Sequence, residues 1–182
     1  MKKGLWLFAG ALLLLFLALG GYKLREGARD REGFVFDTAQ VAQVVWLQVV
    51  YQGDTAELIR KDGAWVTARE GLPADPERVE RGLRGLLGIR AREKVSESTD
   101  EARLNEFGIG RAEAKQVEWK LASGEGGRVL LGKTAGTDLN STYWKWPGQP
   151  GVYSTPGDFT FDLASREEEW TADGPAPAFK VQ

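Results

Sequence analysis

Between Gly4 and Tyr22 the chain carries no charged side chain, and the interval includes the run Leu12-Leu13-Leu14-Leu15-Phe16-Leu17. As a helix rising about 1.5 Å per residue, such a segment is roughly 28 Å long, close to the hydrocarbon thickness of a bilayer. Lys2 and Lys3 precede it, and Trp6 and Tyr22 bracket it as interfacial aromatics do. Residues 1–22 therefore read as a single transmembrane anchor, marked by Trp6, Gly10, Leu14, Ala18 and Tyr22. The small residues Gly4, Ala9, Gly10, Ala11 and Ala18 would let a second membrane helix approach closely, or else the anchor simply faces lipid. The same parts also spell a cleaved secretory signal, with Ala18 and Gly20 where a peptidase could cut. The apolar run exceeds the usual signal core of about 7–15 residues, which favours retention. On either reading, the rest of the chain is a domain held at, or exported across, a membrane.

Orientation is a contest between two rules. Lys23, Arg25, Arg29 and Arg31 outnumber Lys2 and Lys3, and strict counting would place the C-terminal side in the cytoplasm. Large domains translocate largely regardless of charge, and a three-residue N-terminal tail can carry no function. The expectation is a cytoplasmic N-terminus and an outward domain.

The zero counts exclude most chemistry. With no His and no Cys, imidazole and thiolate mechanisms, structural zinc and disulfides all fall away. Net charge is −2, which leaves no nucleic-acid footprint. The chain beyond the stalk suits one ordinary core.

Residues 23–33 read as a polar juxtamembrane stalk, 34–172 as one exported domain, and 173–182, with Pro175 and Pro177, as an extended tail. A first strand is expected over Ala42–Tyr51, with Val45, Leu47, Val49 and Tyr51 on one face and Val44, Trp46 and Val50 on the other. Apolar residues on both faces suggest a strand covered twice, or covered on its second face by a partner. Gln52-Gly53-Asp54 turns into Thr55–Lys61, and Asp62-Gly63 is a hairpin signal leading into Ala64-Trp65-Val66.

A helix comes next, with Asp75 as N-cap, Pro76 at its first position and Val79, Leu83, Leu86 and Leu87 as the buried stripe. Gly82, Gly85 and Gly88 recur within it at about 1 kcal/mol each against Ala, which suggests the close approach of another backbone. A short second helix spans Glu101–Phe107, ended by Gly108. Gln116–Leu121 alternates, with Val117, Trp119 and Leu121 inward, and turns through 123–127 into Arg128–Leu131. Ser141–Trp146 and Gly151–Ser154 pair around Pro147–Pro150, and Phe159–Trp170 reads as a last helix. The fold class is α+β: antiparallel β-meanders with two or three packed helices, the second half echoing the first as a degenerate duplication would.

Phe34-Val35-Phe36-Asp37, Leu58-x-x-Lys61-Asp62-Gly63-x-Trp65, Pro73-Ala74-Asp75, Phe107-Gly108-Ile109 and Leu130-Leu131-Gly132-Lys133 together resemble a bacterial family, domain of unknown function 4340, over about residues 34–165. The resemblance implies an N-terminal anchor in the bacterial inner membrane and a periplasmic α+β domain. Some members are similar to auxiliary proteins beside gliding-motility-type ABC transporters. It lends no catalytic residue and no cofactor.

Gly127–Thr134 satisfies the Walker A spelling, but Arg128-Val129-Leu130-Leu131 inside it is strand-like and no helix signal comes after Thr134, so no nucleotide is expected. Tyr143, Trp144, Trp146 and Tyr153 cluster around the Pro-Gly loop; with Trp46 they are the candidate partner contacts, against a reading as ordinary hairpin packing. Glu167, Glu168, Glu169, Asp173, Asp158 and Asp162 read as a solvated helix face rather than a glycosidase pair. The expected function is a non-catalytic accessory subunit whose periplasmic domain packs on other integral-membrane subunits. The alternative is a glycan- or peptide-binding module of an ABC-type exporter or envelope assembly system.

Overall fold

Two tight turns set the register of the first meander. At Gln52-Gly53 and at Asp62-Gly63 both central residues have positive φ (52° and 89°, then 52° and 84°). That geometry matches the right-handed twist of paired strands, and glycine at the second position adopts it without steric cost. The turns join β1 (Val44–Tyr51), β2 (Asp54–Lys61) and β3 (Ala64–Thr67). The computed structural model describes residue 36 and residues 38–91, 93–134 and 141–174. All described residues belong to one unit, Phe34–Gln182. The anchor residues Trp6, Gly10, Leu14, Ala18 and Tyr22, the stalk and residues 175–182 of the tail lie outside the described residues. Among the described residues no helix is long and apolar enough to cross a membrane.

The first strand begins two residues later than its sequence suggests, because Thr38–Gln43 forms a 3-10 turn. Its faces also differ from a strict alternation. The register against β5 (Lys115–Leu121) shifts between Val44 and Trp46, so Val45 is an extra, bulged residue. The bulge brings Val44 to the same side as Leu47 and Val49, and all three are buried. Trp46 and Val50 remain on the opposite face.

Eight strands form one antiparallel sheet in the order β3-β2-β1-β5-β6-β7-β8-β4. The remaining members are β4 (Glu93–Ser96), β6 (Gly126–Thr134), β7 (Ser141–Lys145) and β8 (Val152–Pro156). β4 has one apolar residue, Val95, and no alternation; only its pairing with β8 at the sheet edge makes it a strand.

Helix α1 (Pro76–Leu87) starts as its sequence prescribes: the Asp75 carboxylate accepts from the Glu77 and Arg78 amides at 2.9 and 3.3 Å. Its buried stripe is Val79, Leu83, Leu86 and Leu87, with Gly82 beside it. A Cβ on Gly82 would stand 2.8 Å from the Asp162 carbonyl oxygen, and one on Gly85 would stand 2.6 Å from the Phe159 Cβ. The expected close approach of another backbone is therefore real at Gly82, while Gly85 meets the Phe159 side chain; both neighbours belong to the segment 159–163. Gly88 serves instead as the C-cap. Helix α2 (Glu101–Glu106) is capped by Asp100 and ends through Gly108 at φ 67°.

The last helix expected over Phe159–Trp170 is not formed. The segment holds two short 3-10 turns, Thr160–Asp162 and Glu167–Trp170. Side chains take the carbonyls an α-helix would use: Lys115 Nζ donates to the Thr160 and Leu163 oxygens at 2.6 and 2.8 Å, and Trp170 Nε1 donates to Ala164 O at 2.9 Å. The segment is a strap laid across α1, with Leu163 and Trp170 fully buried. The second meander thus has no α-helix following it among the described residues, which departs from a repeat of the first half.

One face of the sheet carries the main core, where Leu47, Leu58, Val117, Trp119, Leu131 and Trp144 meet α1 and the strap. The other face carries a smaller cluster of Leu104, Phe107, Ile109 and Val152, with Val95, Leu130 and Tyr143 packed against it. This second cluster lies under α2 and covers only the β6-β7-β8-β4 side.

Candidate interaction surfaces

The aromatic residues around the β7–β8 hairpin do not share one surface. Alternation along β7 sends Trp144 into the main core, where it is 1 % exposed. Tyr153 stacks on it at 4.9 Å between ring centroids, and Lys94 Nζ lies 5.9 Å from the Tyr153 ring. Tyr143 points the other way and meets Phe107 edge-to-face at 5.0 Å. Trp144 is therefore withdrawn as a partner contact, because its area is already buried by its own domain. Tyr143 and Tyr153 are largely occupied too. Trp146, half-buried, packs at 5.8 Å on Trp144 and at 5.1 Å on Phe36, whose ring also abuts Trp119 at 4.6 Å.

Trp46 has a different setting. It stands on the outward face of β1, where Nε1 donates to Glu57 Oε1 at 2.6 Å and Lys120 Nζ sits 4.4 Å from its ring. Val50, Ile59 and Val66 share this face and are half-buried. Glu118 and Arg128 form an ion pair at 2.5 Å on the β5–β6 side of it. The small cluster under α2 stops short of this region, so β3, β2, β1 and β5 present apolar side chains over which no described helix lies.

Two concavities flank the sheet at opposite strand ends. The first, a shallow groove of about 490 Å³, is bordered by Trp146, Pro147, Gln149, Gly126, Gly127 and Arg128. The second, a cleft of about 330 Å³, lies between the β1–β2 turn, the loop after β3 and the strap; Asp54, Thr55, Arg69, Glu70, Arg166 and Glu167 border it.

Residues with a chemical look are otherwise engaged. Gly127–Thr134 lies wholly in β6, laddered to β5 and β7, and makes no phosphate-cradling loop. The acidic C-terminal residues do not form a helix face. Glu169 is buried and bonded by Arg166, Asp158 accepts from Thr134 and Thr160, and Asp162 pairs with Arg81 at 3.6 Å. The Glu169 hydrogen bond raises the Arg166 pKa. Among the described residues no cluster of three or more carboxylates could hold a metal ion.

Lys115 is the residue that pattern reading passed over. At the start of β5 its Nζ holds the strap and lies 5.4 Å from the Tyr51 ring. Burial pulls its pKa down to about 8, against the opposing pull of the Glu169 and Asp158 carboxylates. A lysine opening a strand normally snorkels to water, so no local signal distinguishes this one.

No curated protein and no solved structure matches the chain. A family model does, over residues 65–177, from Trp65 in β3 through the strap. The match omits β1 and β2 and extends past the 34–165 interval over which the sequence motifs suggest kinship. It spans more than half of the chain, which therefore belongs to the family described as Domain of unknown function (DUF4340).

Proposed function

We propose that this protein is a non-catalytic accessory subunit, held in a bacterial inner membrane by residues 1–22, whose periplasmic domain packs against a larger membrane complex. The single observation that carries this reading is the half-covered sheet. One face is sealed by α1 and the strap, while the outward face is covered by α2 on one side only. Trp46, Ile59 and Val66 adjoin across β1, β2 and β3, and Val50 lies beyond the Gln48–Glu57 pair, so half-buried apolar side chains alternate with polar ones, the mixed composition of non-obligate partner surfaces. The apolar Gly4–Tyr22 segment supports a place beside other membrane subunits.

The test is a mild-detergent pull-down of the full-length chain from its native membrane, read by mass spectrometry. The expected result is a stoichiometric set of membrane subunits. That set should be lost on Val50→Lys, whose melting temperature stays within a few degrees of wild type. Recovery of a lone protein would sink the reading.

The groove beside Trp146 favours a second reading, a module that recognises a glycan for an exporter or envelope assembly system. A glycine floor next to an indole and flanking polar side chains suits a sugar ring. It requires binding that Trp146→Ala abolishes and Val50→Lys leaves intact.

A further inference from the structure

We infer that the cleft beside the β1–β2 turn takes a short, extended, basic peptide segment as an added strand on the open edge of β2. This contact is independent of the outward sheet face and goes beyond the proposed docking there.

The edge is set by the register. In a two-residue hairpin the closing pair exchanges both hydrogen bonds, and here the closing pairs are Tyr51↔Asp54 and Lys61↔Ala64. Along β2 the backbone groups of residues 54, 56, 58 and 60 therefore face β1, while those of 55, 57, 59 and 61 face β3. Strand β3 pairs only with Leu58–Lys61. Beyond it the Glu57 carbonyl takes one more rung in the same register, accepting from the Ala68 amide at 2.8 Å, while its amide leaves the ladder and donates to Glu167 Oε1 at 3.4 Å. Thr55 is the next residue in the series. Its side chain is exposed, and its amide and carbonyl look into the cleft past the last rung of the ladder.

Such an edge is a template for another chain, and natural sheets normally block it. Here the loop after β3 and the strap stand back to leave about 330 Å³. The space is three-walled, so a partner strand would have to be short, about two or three residues.

Charge chooses the occupant. Asp54, Glu70, Glu167 and Glu168 border the cleft against Arg69 and Arg166. Arg166 is already engaged by Glu169 and Glu168, the latter at 3.7 Å. The carboxylates of Asp54, Glu70 and Glu167 thus outweigh the one remaining rim cation, Arg69. A lysine or arginine next to the paired residue lies within reach of them, whereas an acidic segment would meet like charge.

Fluorescence anisotropy of labelled Val-Lys-Val-Lys-Val against Val-Glu-Val-Glu-Val, with the full chain in detergent micelles, tests this. The basic peptide should bind at least tenfold more tightly. Arg69→Glu, on the exposed rim, should tighten it further, and Asp54→Lys with Glu70→Lys should reverse the preference. Thr55→Pro removes the edge donor and should abolish binding. If that variant fails to fold, the Thr55 amide resonance of wild type must shift on adding the basic peptide. Equal binding of the two peptides, no binding at millimolar concentration, or an unmoved Thr55 resonance would each overturn the inference.

Discussion

The two faces of the sheet are closed by different means. On the inner face α1 and the strap meet at distances only glycine permits, and Trp170, Leu163 and Leu83 fill what remains. On the outward face a six-residue helix and a few side chains cover part of the sheet and leave the rest half-exposed. The difference separates stability from recognition. The inner face is a close-packed seal that feels every change of volume, whereas the β3-β2-β1-β5 part of the outward face can vary at little cost to the fold.

Truncating the seal tests that contrast most severely. Trp170→Ala removes the largest side chain of the strap and its bond to Ala164. It should cost about 3–5 kcal/mol in urea unfolding, a large fraction of the stability of an ordinary domain. Overfilling the seal comes next. Gly82→Val places a branched side chain where a carbonyl oxygen already stands 2.8 Å from the first added carbon, and should cost about 1–3 kcal/mol. A loss below about 0.5 kcal/mol would show that the strap shifts freely and that the inner face is no seal.

The third test uses pH. The Lys115 amine titrates near 8 when folded, against its ordinary 10.5. Between those values the unfolded chain binds more protons than the folded one, so this group makes stability rise with pH from about 8 to 10.5. The slope is at most about 1.4 kcal/mol per pH unit. Neutral Lys115 still carries two protons, enough to donate to both strap carbonyls. Urea midpoints measured from pH 7.5 to 10.5 should climb through that window, and Lys115→Met should remove this rise.

Legibility in the sequence tracked how local each cause is. Asp62-Gly63 specifies its turn, and Asp75-Pro76 specifies the start of α1, because the interacting groups are within a few residues. The glycine spacing in α1 signalled a close neighbour but not which one, since 159–163 is remote in sequence. The strap's apolar spacing is helical, but the groups that take its carbonyls come from Lys115 and Trp170, which spacing cannot show. The bulge at Val45 depends on β5, and β4 depends on β8. Of the candidate contacts, Tyr143 and Trp144 are adjacent, and alternation along β7 puts them on opposite faces. It could not foresee that α2 would shelter Tyr143. Trp46 lies on the outward face that its strand's two-sided apolarity suggested, half-buried beside Glu57 and Lys120.

The strand order also bears on mechanics. The chain N-terminal to Phe36 joins the domain through β1, which lies between antiparallel neighbours β2 and β5. A pull along the axis of β1 would meet both neighbours at once. It loads the ladder bonds on both flanks together, in shear, rather than peeling them one rung at a time. Before that load reaches Val44 it must draw the Phe36 ring from between two indoles. A force that enters the domain at Phe36 would thus be resisted as a rivet resists it, by many bonds loaded at once.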